Sequence, residues 1–402
     1  MAHPSLRIAM VGHKRVPSRE GGVEVVVGAL STRMVALGNT VTCYNRSGEH
    51  IAGAQYSGEK LHNYEGVTLK YVPTIQKKGL AALTASFFGC LRAAFGRYDI
   101  VHVHAEGPAA FCWIPRLTGK RVIVTIHGLD WQRAKWKNGF GSKFIHFGER
   151  MAVRWASEII VLSRSMQLYF YDAYKRRTVL IPNGVPRFEA QEPEIIRQYG
   201  LARGNYILYL GRIVPEKGEH YLLEAFCQIH TDKKLIFAGG ESDSADYAAQ
   251  LKAKAADNDR VQFLGFVEGQ QLAELYSNAY VYVLPSDVEG MPLTLMEAMS
   301  YGNCCLTSDI PECMSVMREF GMSFRKGDVA DLRDKLQYLC DHAEVVKEYR
   351  MKAADFICQY HNWDTITQQT LALYRGETYQ PEIAPHQVAT LACLTNHHRK
   401  GI

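Results

Sequence analysis

The sequence has no C-x-x-C pair and no cysteine framework. Its ten cysteines are scattered, and Cys304 and Cys305 are neighbours, so neither zinc spacing nor a disulfide scaffold is written in it. Reduced thiols filling core positions of a cytoplasmic protein are the expectation. Long apolar runs are missing too. The longest uncharged apolar-rich stretch, Gly79 to Leu91, has 13 residues, against the ~18–20 that a spanning helix needs. Met1 to Val11 lacks the basic, apolar and cleavage regions of a secretory signal, and Arg7 interrupts its first apolar run, so no such signal is expected. There is no short-period repeat and no low-complexity tract. G-x-G-x-x-G does not follow the first strand, and Ser163, Ser165 and the histidines form no nucleophile elbow.

What is present is an ordinary globular composition: 402 residues, 47% apolar and 22% charged, with a net charge of +5. At ~100–200 residues per domain this predicts two or three domains. The near balance of charge hides an asymmetry. Residues 1–190 hold 26 Lys+Arg against 12 Asp+Glu, a balance of +14, whereas residues 191–402 hold 20 against 29, a balance of −9. Halves of opposite sign point to two domains with different partners.

Strand and helix patterns alternate in both halves. Leu6–Val11 reads as a strand, and Gly22–Leu37 as a helix on the 3–4 residue spacing of Val23, Val26, Val27, Leu30, Met34 and Leu37. Thr40–Tyr44 is the next strand. A second series begins with the strand Tyr206–Leu210, and Ile181–Gly204, with three prolines, is the expected linker. The fold class is therefore α/β: two Rossmann-like parallel-sheet domains facing a central cleft, where such folds place ligands. Residues 1–187 are assigned to the first domain and 188–362 to the second. Residues 363–376 form a further helix, and 377–402 a tail of no assigned role.

Several loops carry chemistry. Arg19-Glu20-Gly21-Gly22 lies between a strand and a helix, where small residues and a helix N-terminus suit an anion; the alternative is a tight turn. Gly211 to Gly218 occupies the corresponding place in the second half and puts Arg212 and Lys217 on one loop. A fork and a point charge together suit a diphosphate; the alternative is a solvated loop. Glu289-Gly290-Met291-Pro292-Leu293-Thr294-Leu295-Met296-Glu297 is the strongest signal. Glu297 falls on an otherwise apolar helix and needs a partner, such as sugar hydroxyls or a buried salt bridge. The amides of Leu293 and Thr294 are donors at that helix start, with Pro292 expected at the first helical position. His127-Gly128-Leu129-Asp130 follows the strand Arg121–Ile126, and Asn183-Gly184-Val185 ends another strand at the linker; both also read as structural turns. Asp257-Asn258-Asp259 matches a metal-binding D-x-D but falls between a helix and a strand, and reads as a turn. No metal site is expected.

The ordered set Gly21-Gly22, His127-Gly128, Asn183-Gly184-Val185, Arg212 with Lys217, Gly239-Gly240-Glu241 and the E-x7-E pair resembles glycosyltransferase family 4, the retaining GT-B enzymes, over about residues 5–376. Trp363-Asp364 and the helix to Tyr374 look like that family's last helix, which crosses back to the N-terminal domain. The opening from Gly12 to Arg46 is similar to bacterial enzymes of surface polysaccharides, including rhamnosyltransferases. Asn303-Cys304-Cys305 departs from the family's Gly-Pro-Val-like residues, at a core strand. The resemblance implies a nucleotide sugar in the cleft. Glu297 would hold the ribose; Arg212, Lys217 and the helix amides the diphosphate; Glu289, Gly290 and Met291 the donor sugar; and Leu264–Val267 would flank the base. His127 would approach from the N-terminal domain. Gly21, Gly22, Asp130, Asn183 and Gly240 join the substrate-binding set. No cofactor is implied, and transfer would be retaining and metal-independent.

A saccharide, with or without a lipid carrier, is the implied acceptor. The basic half, with Arg133, Lys135, Lys137, Lys175, Arg176 and Arg177, suggests an anionic membrane surface on the cytoplasmic side. The helix Leu80–Arg97 could lie there, although packing of Leu80, Leu83, Phe87, Phe88, Leu91 and Phe95 against the sheet is the expectation. Two other classes remain: a GT-B sugar-nucleotide epimerase, separated by product analysis, and a nucleic-acid-binding protein. The latter would not need the E-x7-E pair, and nucleic acid is not the expected partner.

Overall fold

The computed structural model describes residues 4–48, 60–77, 79–129, 131, 140–241 and 244–377. The N-terminal sheet contains β1 (Arg7–Val11), β2 (Thr40–Arg46), β3 (Asn63–Tyr64), β4 (Val67–Val72), β5 (Ile100–His104), β6 (Arg121–Ile126), β7 (Glu158–Val161) and β8 (Val179–Leu180), in the order β3-β4-β2-β1-β5-β6-β7-β8. All its pairs are parallel except β3–β4, a hairpin at the edge. The C-terminal sheet contains β9 (Tyr206–Leu210), β10 (Lys234–Ala238), β11 (Val261–Gly265), β12 (Val281–Leu284), β13 (Cys304–Ser308) and β14 (Met322–Phe324), in the order β11-β10-β9-β12-β13-β14, all parallel. Central strands covered on both faces tend to be apolar throughout, as Tyr206–Leu210 is. The two-domain α/β class expected from the sequence is what the chain adopts.

The strand order sets where ligands fit. Each sheet reverses winding beside its first strand, at β1/β5 and at β9/β12, and the loops leaving those carboxyl ends open a crevice. The loops at 12–21 and 211–218 leave β1 and β9; the loop at 285–292 leaves β12. Asp257 and Asp259 sit on the exposed turn before β11, at the opposite edge of their sheet.

The linker is only partly a linker. Ile195–Tyr199 forms a 3-10 turn, and the Glu194 and Ile196 amides donate to Glu274 Oε2 at 2.9 and 3.1 Å, so this stretch belongs to the C-terminal domain. The helix Trp363–Arg375 packs on the N-terminal domain. Its Trp363, Ile366, Leu371, Leu373 and Tyr374 share one apolar cluster with Ile8, Met10, Val26 and Val27. Full burial of such side chains contributes ~1.5–3 kcal/mol each, enough to anchor the crossing. Asn362 caps it, accepting from the Asp364 and Thr365 amides.

Three local expectations differ. Pro292 is the N-cap of the helix Leu293–Ser300 rather than its first residue. The helix Arg164–Tyr174 has no counterpart in the sequence reading; it buries only Met166 and Phe170, too sparse an apolar stripe to show periodicity. The helix Leu80–Phe95 buries Ala85, Ser86, Gly89, Cys90, Ala93 and Ala94, and of its large residues Phe88 and Leu91 pack against the same core. Leu80, Phe87 and Phe95 are exposed, and Leu83, Phe88 and Leu91 are half-buried. Small side chains let helix and sheet backbones approach closely, and Leu80, Phe87 and Phe95 are left on the outer side. Among the described residues no helix is long and apolar enough to cross a membrane.

Candidate active site

The C-terminal domain supplies the charged groups. After β9 the chain turns at Gly211 and runs through a 3-10 turn, Pro215–Lys217, to Gly218 at φ +72°. A side chain at Gly218 would also collide with the Pro285 carbonyl, so this loop lies directly on the one after β12. The Ile213 amide donates to the Gly240 carbonyl at 3.0 Å, which ties in the loop after β10. Lys217 Nζ is 2.5 Å from Glu289 Oε1, which also accepts from Ser286 Oγ at 2.7 Å. Lys217 and Glu289 are 16% and 8% exposed, a nearly desolvated pair in which removing one partner strands the other. Arg212 lies on the same loop, its carbonyl held by Tyr209 Oη at 2.9 Å.

Glu297 lies one turn inside the helix Leu293–Ser300 and is buried. Oε1 accepts from Arg19 at 2.5 Å, and Oε2 from Tyr276 Oη at 3.3 Å. Arg19 comes from the loop after β1, so this ion pair spans the cleft. The Glu297 charge holds the Arg19 guanidinium above its ordinary range. Thr294 Oγ1 accepts from Tyr282 Oη at 2.9 Å, which fixes its side chain against the sheet. The first amides of that helix have no intrahelical acceptor.

The N-terminal domain supplies backbone and imidazole. Gly21 caps the helix Gly22–Ala36, and Gly22 stands against Leu293 of the other domain. A side chain at Gly290 would strike the carbonyl of His127; only a glycine lets the loops meet here. The Asn183 amide donates to Met291 Sδ at 3.1 Å. Thus Gly22, His127-Gly128 and Asn183, far apart in sequence, converge on the segment Gly290–Leu293. Gly184 packs under the Trp363 ring, where linker and crossing helix meet. Asp130 lies outside the described residues, as do Arg133, Lys135 and Lys137.

Behind His127 stands a row of imidazoles. His127 Nε2 is 3.1 Å from His104 Nδ1, the His104 ring lies tilted against that of His102 with centroids 4.0 Å apart, and His102 bridges Tyr374 Oη at 2.6 Å and Thr125 Oγ1 at 2.7 Å. Burial pushes His102 down to about 3 and His104 well below its usual range. His13, buried against Asn45, is pushed down to about 4 by the same cause. These rings are neutral and act as donors and acceptors rather than charges. Sequence reasoning named His127 alone. The H-x-H that ends β5 was a visible signal for the other two. Nothing local announced Arg19 as the partner of Glu297, or Ser286 as a ligand of Glu289.

A cavity of about 540 Å³ lies elsewhere, lined by Arg33, Arg187, Asp355, Trp363 and Asp364 at the crossover. Its charges are paired among themselves, Arg33 with Asp364 and Arg187 with Asp355, so the site is placed by the converging motifs instead.

The chain matches two family models: "Glycosyltransferase Family 4" over residues 20–187 and "Glycosyl transferases group 1" over residues 191–355. Among curated proteins it is similar to an uncharacterised glycosyltransferase of Methanocaldococcus jannaschii, 23% identical, covering 92% of this chain and 98% of that protein. Among solved structures it superposes on sucrose-phosphate synthase of Thermosynechococcus elongatus with a TM-score of 0.76 and 20% identity, covering 92% and 98% of the two chains. It also superposes on Anabaena HepE in complex with UDP-glucose, with a TM-score of 0.75 and 18% identity, covering 92% and 100%.

Proposed function

The chain belongs to glycosyltransferase family 4 and has the two-domain GT-B fold, and from this premise we propose that it moves a sugar from a nucleoside-diphosphate sugar to a saccharide, with retention. The observation that carries the reading is the convergence at Gly290–Leu293. The Lys217–Glu289 pair, the helix amides and Glu297 come from one domain; the His127 backbone, Asn183 and Arg19 come from the other.

Glu297 holds the ribose, for which a buried carboxylate is a strong acceptor; Arg19 must give up or share that oxygen. An ammonium has three donors, so the bond from Lys217 to Glu289 leaves capacity for phosphate oxygens. With Arg212 and the amides of Leu293 and Thr294, it stabilises the charge that grows on the departing diphosphate, where most of the catalysis lies. Glu289 and the Gly290 and Met291 backbone hold the donor sugar, Leu264–Val267 flank the base, and His127 faces that sugar from across the cleft. Gly21, Gly22, Asp130 and Gly240 complete the substrate-binding set. No paired carboxylates of glycosidase type stand in the described site, so attack from the leaving-group face, through an oxocarbenium-like state, replaces a covalent intermediate. The proposed acceptor is a cell-surface saccharide, including one on a lipid carrier at the inner face of the membrane; hexosyl or rhamnosyl groups are the proposed cargo. The outward apolar residues of the helix Leu80–Phe95 and the basic balance of the N-terminal half support that placement.

The test is a panel of nucleotide sugars, scored by release of nucleoside diphosphate with and without saccharide and lipid-linked acceptors, in EDTA. Release that needs an acceptor, survives EDTA and yields an anomer matching the donor supports the reading. Conversion of the donor without acceptor points to an epimerase. Loss in EDTA restored by Mg²⁺ or Mn²⁺ overturns metal independence.

A further inference from the structure

Glu219 is the first residue of the helix Glu219–Phe226, directly after the Gly211–Gly218 loop, and it is fully buried. Its Oε1 accepts from the Val214 amide at 3.1 Å and from Tyr209 Oη at 2.8 Å. Its Oε2 accepts from Tyr247 Oη at 3.1 Å. Tyr209 Oη is also 2.9 Å from the Arg212 carbonyl. Tyr247 Oη in turn meets His220 Nδ1 at 2.9 Å and the His220 amide at 3.3 Å. One acid therefore binds the loop at Val214 directly and at Arg212 through a phenol.

The hydrogen count within this network is decisive. A phenol carries one hydrogen. Beside a carboxylate, Tyr209 faces two acceptors, Glu219 Oε1 and the Arg212 carbonyl, and can serve only one. With a proton on Glu219, the acid donates to the Tyr209 oxygen and Tyr209 donates to the Arg212 carbonyl. Both are satisfied, and Oε1 keeps a lone pair for Val214.

We propose that Glu219 is the positioning residue of the Arg212–Lys217 loop and that its neutral form holds the loop in place. This rests on the reading that Arg212 and Lys217 grip the diphosphate. Burial raises the Glu219 carboxyl to about 7, against the pull of its own amide, Tyr209, Val214 and Tyr247. Glu289 and Tyr282 bear on Tyr209, and Asp287, Lys254 and Glu224 bear on His220. Above about pH 7 the acid ionises, the Arg212 carbonyl loses its donor, and the loop loosens.

The test is the pH profile of kcat/KM for the nucleotide sugar from about pH 5.5 to about pH 9, where the diester-linked diphosphate of the donor does not titrate. The wild type is expected to fall about tenfold above pH 7 with a one-proton slope, as one unmet, partly buried acceptor implies. Glu219→Gln is permanently neutral, but its amide cannot at one atom both donate to Tyr209 and accept from the Val214 amide; it is expected to start lower than wild type and to lose that limb. Tyr209→Phe is expected to be about tenfold lower at all pH values, again without the limb. A limb that persists in Glu219→Gln, or a flat wild-type profile, overturns the proposal. Hydrogen exchange of the 211–218 segment in the wild type, corrected for intrinsic rates, is a second readout independent of turnover. Protection should drop as pH passes 7, and unchanged protection overturns the proposal even if the Gln variant does not fold. Arg212→Ala separates the two readings. If it lowers turnover while the Glu219 and Tyr209 variants match wild type, this proposal fails and the diphosphate grip stands. If it turns over normally, the grip fails, and the exchange result still decides the role of Glu219.

Discussion

The two domains share a parallel sheet and a crevice at its carboxyl edge, yet they furnish those crevices differently. The C-terminal domain, with the acidic balance, brings a desolvated Lys217–Glu289 pair, Arg212 and the buried Glu297. The N-terminal domain, with the basic balance, brings glycines, a row of imidazoles and backbone that approaches the other domain closely; of the positive charge on its described residues, Arg19 is engaged in the site. Net charge of a domain and charge at its site are thus separate properties. The first is spread over the surface and acts on distant partners; the second is set by a few buried groups.

The contrast breaks most directly at the Gly211–Gly218 loop, proposed to hold the diphosphate. Arg212→Ala and Lys217→Ala should each lower kcat by ~10²–10³, as loss of a preorganised donor does, with a smaller effect on KM. Wild-type turnover in both would remove the electrostatic role from the C-terminal domain. The domain contact comes next. Gly290→Ala puts a methyl into the His127 carbonyl and should push the loops apart. A cost of ~1–3 kcal/mol is expected, read as a ~10- to 100-fold loss in kcat/KM, with unfolding transitions close to wild type. Unchanged activity would show that the N-terminal backbone does not complete the site.

Glu297→Gln and Glu289→Gln sharpen the division within the C-terminal domain. The first should weaken nucleoside diphosphate binding by about tenfold, since a charged acceptor becomes half a donor. The second should act on donor turnover. Calorimetry with the free diphosphate compares them, and equal affinity losses would contradict separate roles.

Acid should distinguish the domains thermodynamically. His13, His102 and His104 have folded pKa values below the unfolded 6.5, so the unfolded chain binds more protons in acid. Their stabilisation is complete above 6.5 and is lost as pH falls toward 4, on the order of 3 kcal/mol for His13. Glu219, raised from 4.5 to about 7, has the opposite sign: the folded state holds its proton longer, and stability is lost as pH rises from 4.5 to 7. Hydrogen exchange at several pH values should show the N-terminal sheet loosening first in acid. Uniform loosening of both sheets would refute that.

The smallest effect belongs to the surface. Each Lys or Arg near an anionic leaflet contributes ~1 kcal/mol. The outward Leu80, Phe87 and Phe95, with Lys175, Arg176 and Arg177 in the same basic domain, should give weak, salt-sensitive flotation with anionic liposomes and none with neutral ones. No binding at low salt, with full activity on a lipid-free acceptor, defeats that placement.

Much of the fold was legible because parallel α/β sheets write themselves locally. Buried strands such as Tyr206–Leu210 are apolar throughout, helices such as Gly22–Ala36 repeat every 3–4 residues, and glycines punctuate them. The helix Arg164–Tyr174 escaped because two buried residues make no period. The outward turn of Phe87 and Phe95 escaped because hydrophobicity alone does not say whether large or small residues face the sheet.

By itself, the sequence determined the α/β class, the two charge-opposed halves and an ordered set of loops whose residue types suit phosphates and hydroxyls, because each depends on residues close together in the chain. Only the tertiary structure decided that Arg19 closes on Glu297, that Lys217 pairs with Glu289, that His127 touches Gly290, and that Glu219 ties the Gly211–Gly218 loop through Tyr209. The reason is distance. The cross-cleft contacts join residues far apart in the chain, up to 278 positions for Arg19 and Glu297, and which groups meet depends on how two sheets dock, a property that no local pattern encodes.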